Sequence, residues 1–79
     1  MTIEQKQLLY KIAKWHNKEF YNRMADHWTT ANYDIERECI IVIDDLEREY
    51  REVYGDLPEW RYIDDVWEAI QTLEKELGI

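Results

Sequence analysis

The chain has 79 residues with a net charge of −8, and it contains only two glycines, one proline and one cysteine, Cys39. This length allows a single domain over residues 1–79, and the lone cysteine excludes both an intramolecular disulfide and a cysteine-paired zinc site. No apolar stretch approaches the ~20 residues of a membrane span and the first residues lack the apolar run of a signal peptide, so we expect a soluble, unprocessed, cytoplasmic protein.

The first helix is predicted over about residues 3–26. Scarce glycine and proline leave few places for the chain to turn, which favours long helices. Thr2 and Gln5 have the spacing of a capping box, and apolar or aromatic residues then recur every three or four positions. This stripe comprises Leu9, Ile12, His16, Phe20 and Met24. Polar residues at 29, 30 and 32 interrupt the pattern.

The second helix is predicted over residues 34–54 and stops before Gly55, a natural C-terminal cap. Residues 39–43 are β-branched enough to form a buried strand. Helical periodicity continues beyond them, however, and a single strand would lack ladder partners, so we expect helix. The core stripe of this helix comprises Ile35, Cys39, Val42, Leu46, Tyr50 and Val53.

The third helix is predicted over residues 58–77, because Pro58 suits a first helical turn and Gly78 suits a C-terminal cap. Its stripe comprises Trp60, Ile63, Val66, Trp67, Ile70, Leu73 and Leu77. Three amphipathic helices with short connections predict an all-α fold, a small three-helix bundle.

The acidic residues of helix two gather on one face. At about 100° per residue, five of them occupy a sector of roughly 60° beside the core stripe, and they extend over ~27 Å. We call this face the acidic ridge, which consists of Asp34, Glu38, Asp45, Glu49 and Glu52. One interpretation is a solvated surface, neutralised by nearby arginines or by lysines of helix one. The other is a docking site for cations of a partner protein.

The charge is unevenly distributed along the chain. Residues 1–28 carry a balance of +2 and the remaining residues a balance of −10. Such a field repels nucleic acid, so the expected partner is a basic protein surface, for example that of a nucleic-acid-binding protein. In size, acidity and compactness the chain resembles the DNA-mimic inhibitors of phages and mobile elements, some of which block restriction or CRISPR effectors. This resemblance is one of class, without a shared motif, and it implies an inhibitor.

Aromatic and apolar side chains suggest a further contact surface. Beside its core stripe, helix one carries a second column that includes tyrosines and a tryptophan, and two isoleucines of helix two project away from the core sector. The candidate contacts with a partner or a second copy are Tyr10, Tyr21, Trp28, Ile40 and Ile41. Two alternatives remain: helix one lies centrally with its tyrosine hydroxyls in water, or the chain is a self-associating homodimer module.

The sequence contains no arrangement typical of catalysis. His16 lies in an apolar stripe, where a hydrogen-bonded core imidazole is expected, and Cys39 occupies a core position where cysteines are usually inert. Glu49 and Glu52 have the spacing of helical magnesium sites, but such sites need further carboxylates from a facing helix. We therefore expect no enzyme activity, no cofactor and no metal. A magnesium-dependent nucleotide hydrolase is the remote alternative.

Overall fold

The computed structural model describes the backbone of residues 1–24 and 30–79 and the side chains of residues 1–24 and 33–79. These residues form three helices, α1 (Ile3–Arg23), α2 (Thr30–Tyr54) and α3 (Ile63–Leu77), and no strand. The predicted all-α three-helix bundle is confirmed. The β-branched segment 39–43 lies within α2, as its flanking periodicity indicates.

The ends of α1 and α2 differ from the predicted ends. The side-chain oxygen of Thr2 accepts a hydrogen bond from the backbone N–H of Gln5 at 3.1 Å, so the predicted N-terminal cap is present. Helix α1 ends at Arg23 rather than at residue 26, and residues 25 and 26 lie outside the described part. Helix α2 begins at Thr30 rather than at residue 34, so the polar residue at position 30 does not interrupt helix.

The predicted start of α3 at Pro58 is wrong. Residues 55–62 form neither helix nor strand, and α3 begins at Ile63. The carboxylate of Asp65 accepts hydrogen bonds from the backbone N–H groups of Arg61 and Tyr62, both at 3.1 Å, which fixes the first turn there. Leu57 and Trp60 of the preceding segment pack against the core from outside the helix.

Helix α1 lies between the other two helices. It packs against both α2 and α3, whereas α2 and α3 make no close backbone approach to each other within the described residues. The common core combines residues of all three helices, with the 55–62 segment covering one side. Its buried members are Leu9, Ile12, Tyr50 and Leu73. Helix α1 therefore has the central position that one of the two alternatives expects, and this position does not bear on self-association.

Three residues of the predicted core stripes are exposed by about half or more. Met24 is 63% exposed, Val53 64% and Trp67 47%, while Ile43, which was left out of the predicted stripe, is buried. The buried side of α2 is rotated from the predicted stripe toward Ile43, because α1 is the only helix that its backbone approaches closely in the described residues. For the same reason α3 buries Val66 and Leu73, whereas Trp67 lies at the edge of its buried face.

These exposures predict that two truncations lower the stability by different amounts. Ile12 is fully buried, so Ile12→Ala should lower the free energy of unfolding by about 2–5 kcal/mol, because it loses transfer energy and leaves a cavity. Trp67→Ala removes a larger side chain but should cost less, since half of that side chain already contacts water. Urea unfolding measures both values. A loss for Trp67→Ala that equals or exceeds the loss for Ile12→Ala would contradict this placement.

Candidate functional site

The acidic ridge lies on the outward face of α2. The buried residues Cys39, Ile43 and Tyr50 mark the side of this helix that faces the core. At about 100° per residue, the centre of the ridge falls roughly 140° from the centre of these three. All five ridge residues are exposed. The ridge therefore faces solvent and does not lie immediately beside the core stripe, because inclusion of Ile43 rotates the core side away from it.

Most ridge carboxylates lack a cationic partner. Asp45 lies 3.9 Å from the guanidinium of Arg48, and both side chains are largely exposed, so this pair contributes at most about 1 kcal/mol. The other four ridge residues form no ion pair within the described part of the chain. Arg51 lies 3.9 Å from Glu47, which is outside the ridge. The ridge is thus a strip of almost uncompensated negative charge.

The lysines of α1 do not neutralise the ridge. Lys6 lies 3.6 Å from Glu76 on α3. The ammonium of Lys14 lies 5.9 Å from the centre of the Tyr10 ring, and that of Lys18 lies 4.6 Å from the centre of the Trp15 ring. Both distances are within the range of cation–π attraction. Two lysines that were candidates to neutralise the ridge therefore contact aromatic rings of their own helix.

A separate pair of acids joins α2 to α1. The side-chain amide of Asn22 donates to Glu36 at 3.0 Å, and Nε2 of His16 lies 3.2 Å from a carboxylate oxygen of Glu47. The His16 ring also meets Trp60 edge-on, with ring centres 5.9 Å apart. His16 thus has the hydrogen-bonded environment expected of it, although it is only half-buried. Helix α2 uses Glu36 and Glu47 for packing and leaves the ridge acids free for contacts outside the molecule.

Two titratable groups at the α1–α2 interface have raised pKa values. Burial, and then a hydrogen bond with Glu36, raises the pKa of Glu19, and the guanidinium of Arg23 opposes the shift. Burial also raises the pKa of the Cys39 thiol. The positive charge of Lys18 opposes this shift, and the negative charge of Glu36 adds to it. A thiol in this environment stays protonated and is a poor nucleophile at neutral pH.

No metal site forms around the predicted pair of carboxylates. Glu49 and Glu52 are both exposed on the ridge. Within the described residues, no group of three or more His, Cys, Asp or Glu side chains is arranged to hold a metal ion.

The predicted aromatic and apolar contacts have different environments. The hydroxyl of Tyr10 donates to Glu74 of α3 at 2.7 Å, and this hydrogen bond raises the pKa of Tyr10. Tyr10 is therefore engaged within the molecule. Tyr21 is exposed, as are Ile40 at 49% and Ile41 at 54%. Ile41 falls beside the ridge and Ile40 about 100° further round α2, while Trp28 lies outside the described residues.

A second charged feature was missed at the sequence level. Lys11, Lys14 and Lys18 are all exposed and share a face of α1 roughly 60° wide, which we call the lysine strip. Their spacing of three and four residues was the available signal, but Lys14 was assigned to the column of tyrosines. Lys11 lines the same surface groove as Glu49 of the ridge.

Comparison with known proteins reveals no relative: no protein-family model, no curated protein and no solved structure matches the chain. In the part of the chain that the structure describes, none of the helices combines the length and apolar character needed to cross a membrane. Function must therefore be inferred from the ridge and its surroundings.

The raised pKa of Glu19 predicts a pH-dependent effect of Glu19→Gln. The folded chain binds the carboxyl proton of Glu19 more tightly than the unfolded chain does. Proton binding therefore stabilises the fold at low pH, and this stabilisation is lost as the pH rises through the pKa of folded Glu19. Glutamine has no proton to lose and can donate to Glu36. We expect similar melting temperatures for variant and wild type at acidic pH and a higher one for the variant at neutral pH. Circular dichroism measures both.

Glu38→Gln is the control for this experiment, because it removes one negative charge at an exposed position of α2. If Glu19→Gln melts below the wild type at neutral pH, the ion pair between Glu19 and Arg23, at 3.5 Å, outweighs the burial of the carboxylate.

Proposed function

We propose that this chain is a protein-interaction module that docks through the acidic ridge on a cationic surface of another protein. Where that surface binds nucleic acid, the module acts as an inhibitor that occupies it in place of DNA or RNA. The observation that supports this proposal is the alignment of five exposed carboxylates along α2, four of them without an ion pair in the described part of the chain.

Unpaired, exposed carboxylates suit docking because no internal ion pair has to break first. Their field attracts a cationic surface from a distance and speeds association, an effect that salt screens. The ridge extends ~27 Å, and its charges are spaced more widely than those of duplex DNA, which carries one charge per ~1.7 Å. Ile41 lies beside the ridge and is 54% exposed, so it can add the apolar contact that slows release.

The second candidate function is self-association of the chain as a structural homodimer. The exposed Tyr21, Ile40 and Ile41 favour it, since large apolar side chains at the surface gain free energy when a second copy covers them. For the magnesium-dependent alternative, the described residues offer only Glu49 and Glu52, both facing solvent, and we do not propose it.

Charge reversal of the ridge tests the proposed docking. Asp45→Lys with Glu49→Lys should reduce capture of cationic proteins from a lysate of the native host at least about tenfold, because each reversal replaces attraction by repulsion. Proteins captured by the wild type should elute with salt and with short duplex DNA. Circular dichroism should show a folded variant, since surface substitutions alter stability by only ~0.5 kcal/mol.

The matched control is Asp56→Lys with Glu68→Lys, which changes the net charge equally at exposed positions outside the ridge. This control should capture the same proteins as the wild type. Equal capture by the ridge variant, the control and the wild type would reject the ridge as the docking surface.

A further inference from the structure

We propose that a second copy of this chain docks on the acidic ridge with its lysine strip, so that two copies pair α1 against α2 around a two-fold axis. The inference rests on the proposed docking role of the ridge and names one cationic surface that fits it. The same contact would regulate the ridge, since a dimer covers the carboxylates that another protein would bind.

The ridge and the lysine strip border the same groove between α1 and α2. Lys11 and Glu49 both line this groove, together with Leu8 and Tyr54. Helices α1 and α2 are antiparallel, because Gln5 bonds to Tyr50 and Asn22 bonds to Glu36. One face of the α1–α2 pair therefore carries positive charge along one helix and negative charge along the other.

Opposite charges lie at matching levels along this face. Lys11 and Glu49 share one level, because they line one groove. Lys18 and Glu38 lie at a second level, between the contact of Asn22 with Glu36 and the contact of His16 with Glu47. These levels lie ~10 Å apart on α1 and ~16 Å apart on α2, with Lys14 and Asp45 between them, and the difference, ~3 Å at each end, is within the reach of a lysine side chain.

A two-fold axis that runs parallel to the helices, above the groove, brings the opposite charges of two copies together. It places α1 of each copy over α2 of the other without sliding them along their length. Lys11 then faces Glu49 of the second copy, and Lys18 faces Glu38 of the second copy. Lys14 faces Asp45 in the same way. Symmetry repeats all three contacts, as expected of an isologous interface.

An apolar seam lies between the two charged strips. At about 100° per residue, four apolar residues of α2 share a sector roughly 40° wide that lies between the ridge and the buried side of this helix. Two are half-buried and two are exposed, Val53 by 64%. These residues are Ile35, Val42, Leu46 and Val53. In the two-fold arrangement the seam of one copy covers the seam of the other, which removes apolar surface from water at the centre of the interface.

The charges of this face remain unsatisfied within one copy. None of the three lysines of the strip forms an ion pair in the described part of the chain, and two lie over aromatic rings, where an exposed contact contributes only about 0.5–1 kcal/mol. A dimer that paired the two ridges would bring like charges together. The lysine strip of a second copy is therefore the surface of this chain that complements the ridge.

Charge swapping, read by the mass of the full chain in solution, tests the dimer. At low salt the wild type should be a dimer, and near 1 M salt, where screening acts over ~3 Å, it should dissociate. Lys14→Glu with Lys18→Glu should weaken the dimer at least about tenfold, and so should Glu38→Lys with Asp45→Lys. A mixture of these two variants should form a one-to-one heterodimer, because every contact regains opposite charges.

The variant Asp56→Lys with Glu68→Lys is the matched control and should dimerise like the wild type. The inference is overturned by a monomeric mass of the wild type at all concentrations in low salt. It is also overturned by a dimer that survives both reversals, which would point to Tyr21 or Ile41 instead, or by folded variants that do not pair when mixed.

The lysine variant separates this inference from the proposed function, because it leaves the ridge intact. If the wild type is monomeric while ridge reversal still abolishes capture of cationic proteins, the dimer is rejected and the docking role stands. If the dimer forms and all ridge variants capture the same proteins as the wild type, the docking role for other proteins is rejected and the second copy is the partner.

Discussion

The whole fold depends on α1 having two neighbours. Helices α2 and α3 do not approach each other closely along their backbones in the described residues, so α1 is the helix against which each of them packs, while Tyr50 of α2 and Leu73 of α3 share the common core with α1. This explains why Ile12, near the middle of α1, is fully buried, and why a smaller share of α1 than of α2 is exposed in the described residues. It also explains why each outer helix has a broad outward face. The ridge occupies such a face on α2, because a helix with one neighbour has room for a continuous strip of charge.

The division of acids on α2 follows from the same geometry. Glu36 and Glu47 lie at the edge of the contact with α1 and bond to Asn22 and His16. Such bonds satisfy polar groups that packing would otherwise leave without water. The centre of the ridge lies roughly 140° round the helix from its buried side, so these acids face outward. A single sequence segment thus encodes a packing surface and a charged outer surface, separated by rotation about the helix axis.

Much of this arrangement was predictable from periodicity, caps and charge. The cap at Thr2, the glycine stops at Gly55 and Gly78 and the helical character of residues 39–43 all appear in the structure. The start of α3 was not predictable from Pro58, because Asp65 fixes the first turn through bonds to two backbone N–H groups. The partial exposure of Trp67 also escaped prediction, since periodicity shows which face is apolar but not how many neighbours cover it. For the site, sequence alone located the ridge, whereas the lysine strip was missed although its spacing was present in the sequence, because Lys14 was assigned to the column of tyrosines.

The single contact of α3 with the rest of the helices has a consequence for the dynamics of the molecule. A helix held by one neighbour and by the 55–62 segment can open without separating α1 from α2, and local opening of this kind has a lower free energy than global unfolding. The backbone amides of α3 should therefore exchange with deuterium earlier than those at the centre of α2. During such an opening the antiparallel α1–α2 pair, which carries both charged strips, remains intact, so the molecule keeps its charged face while part of its core is transiently open.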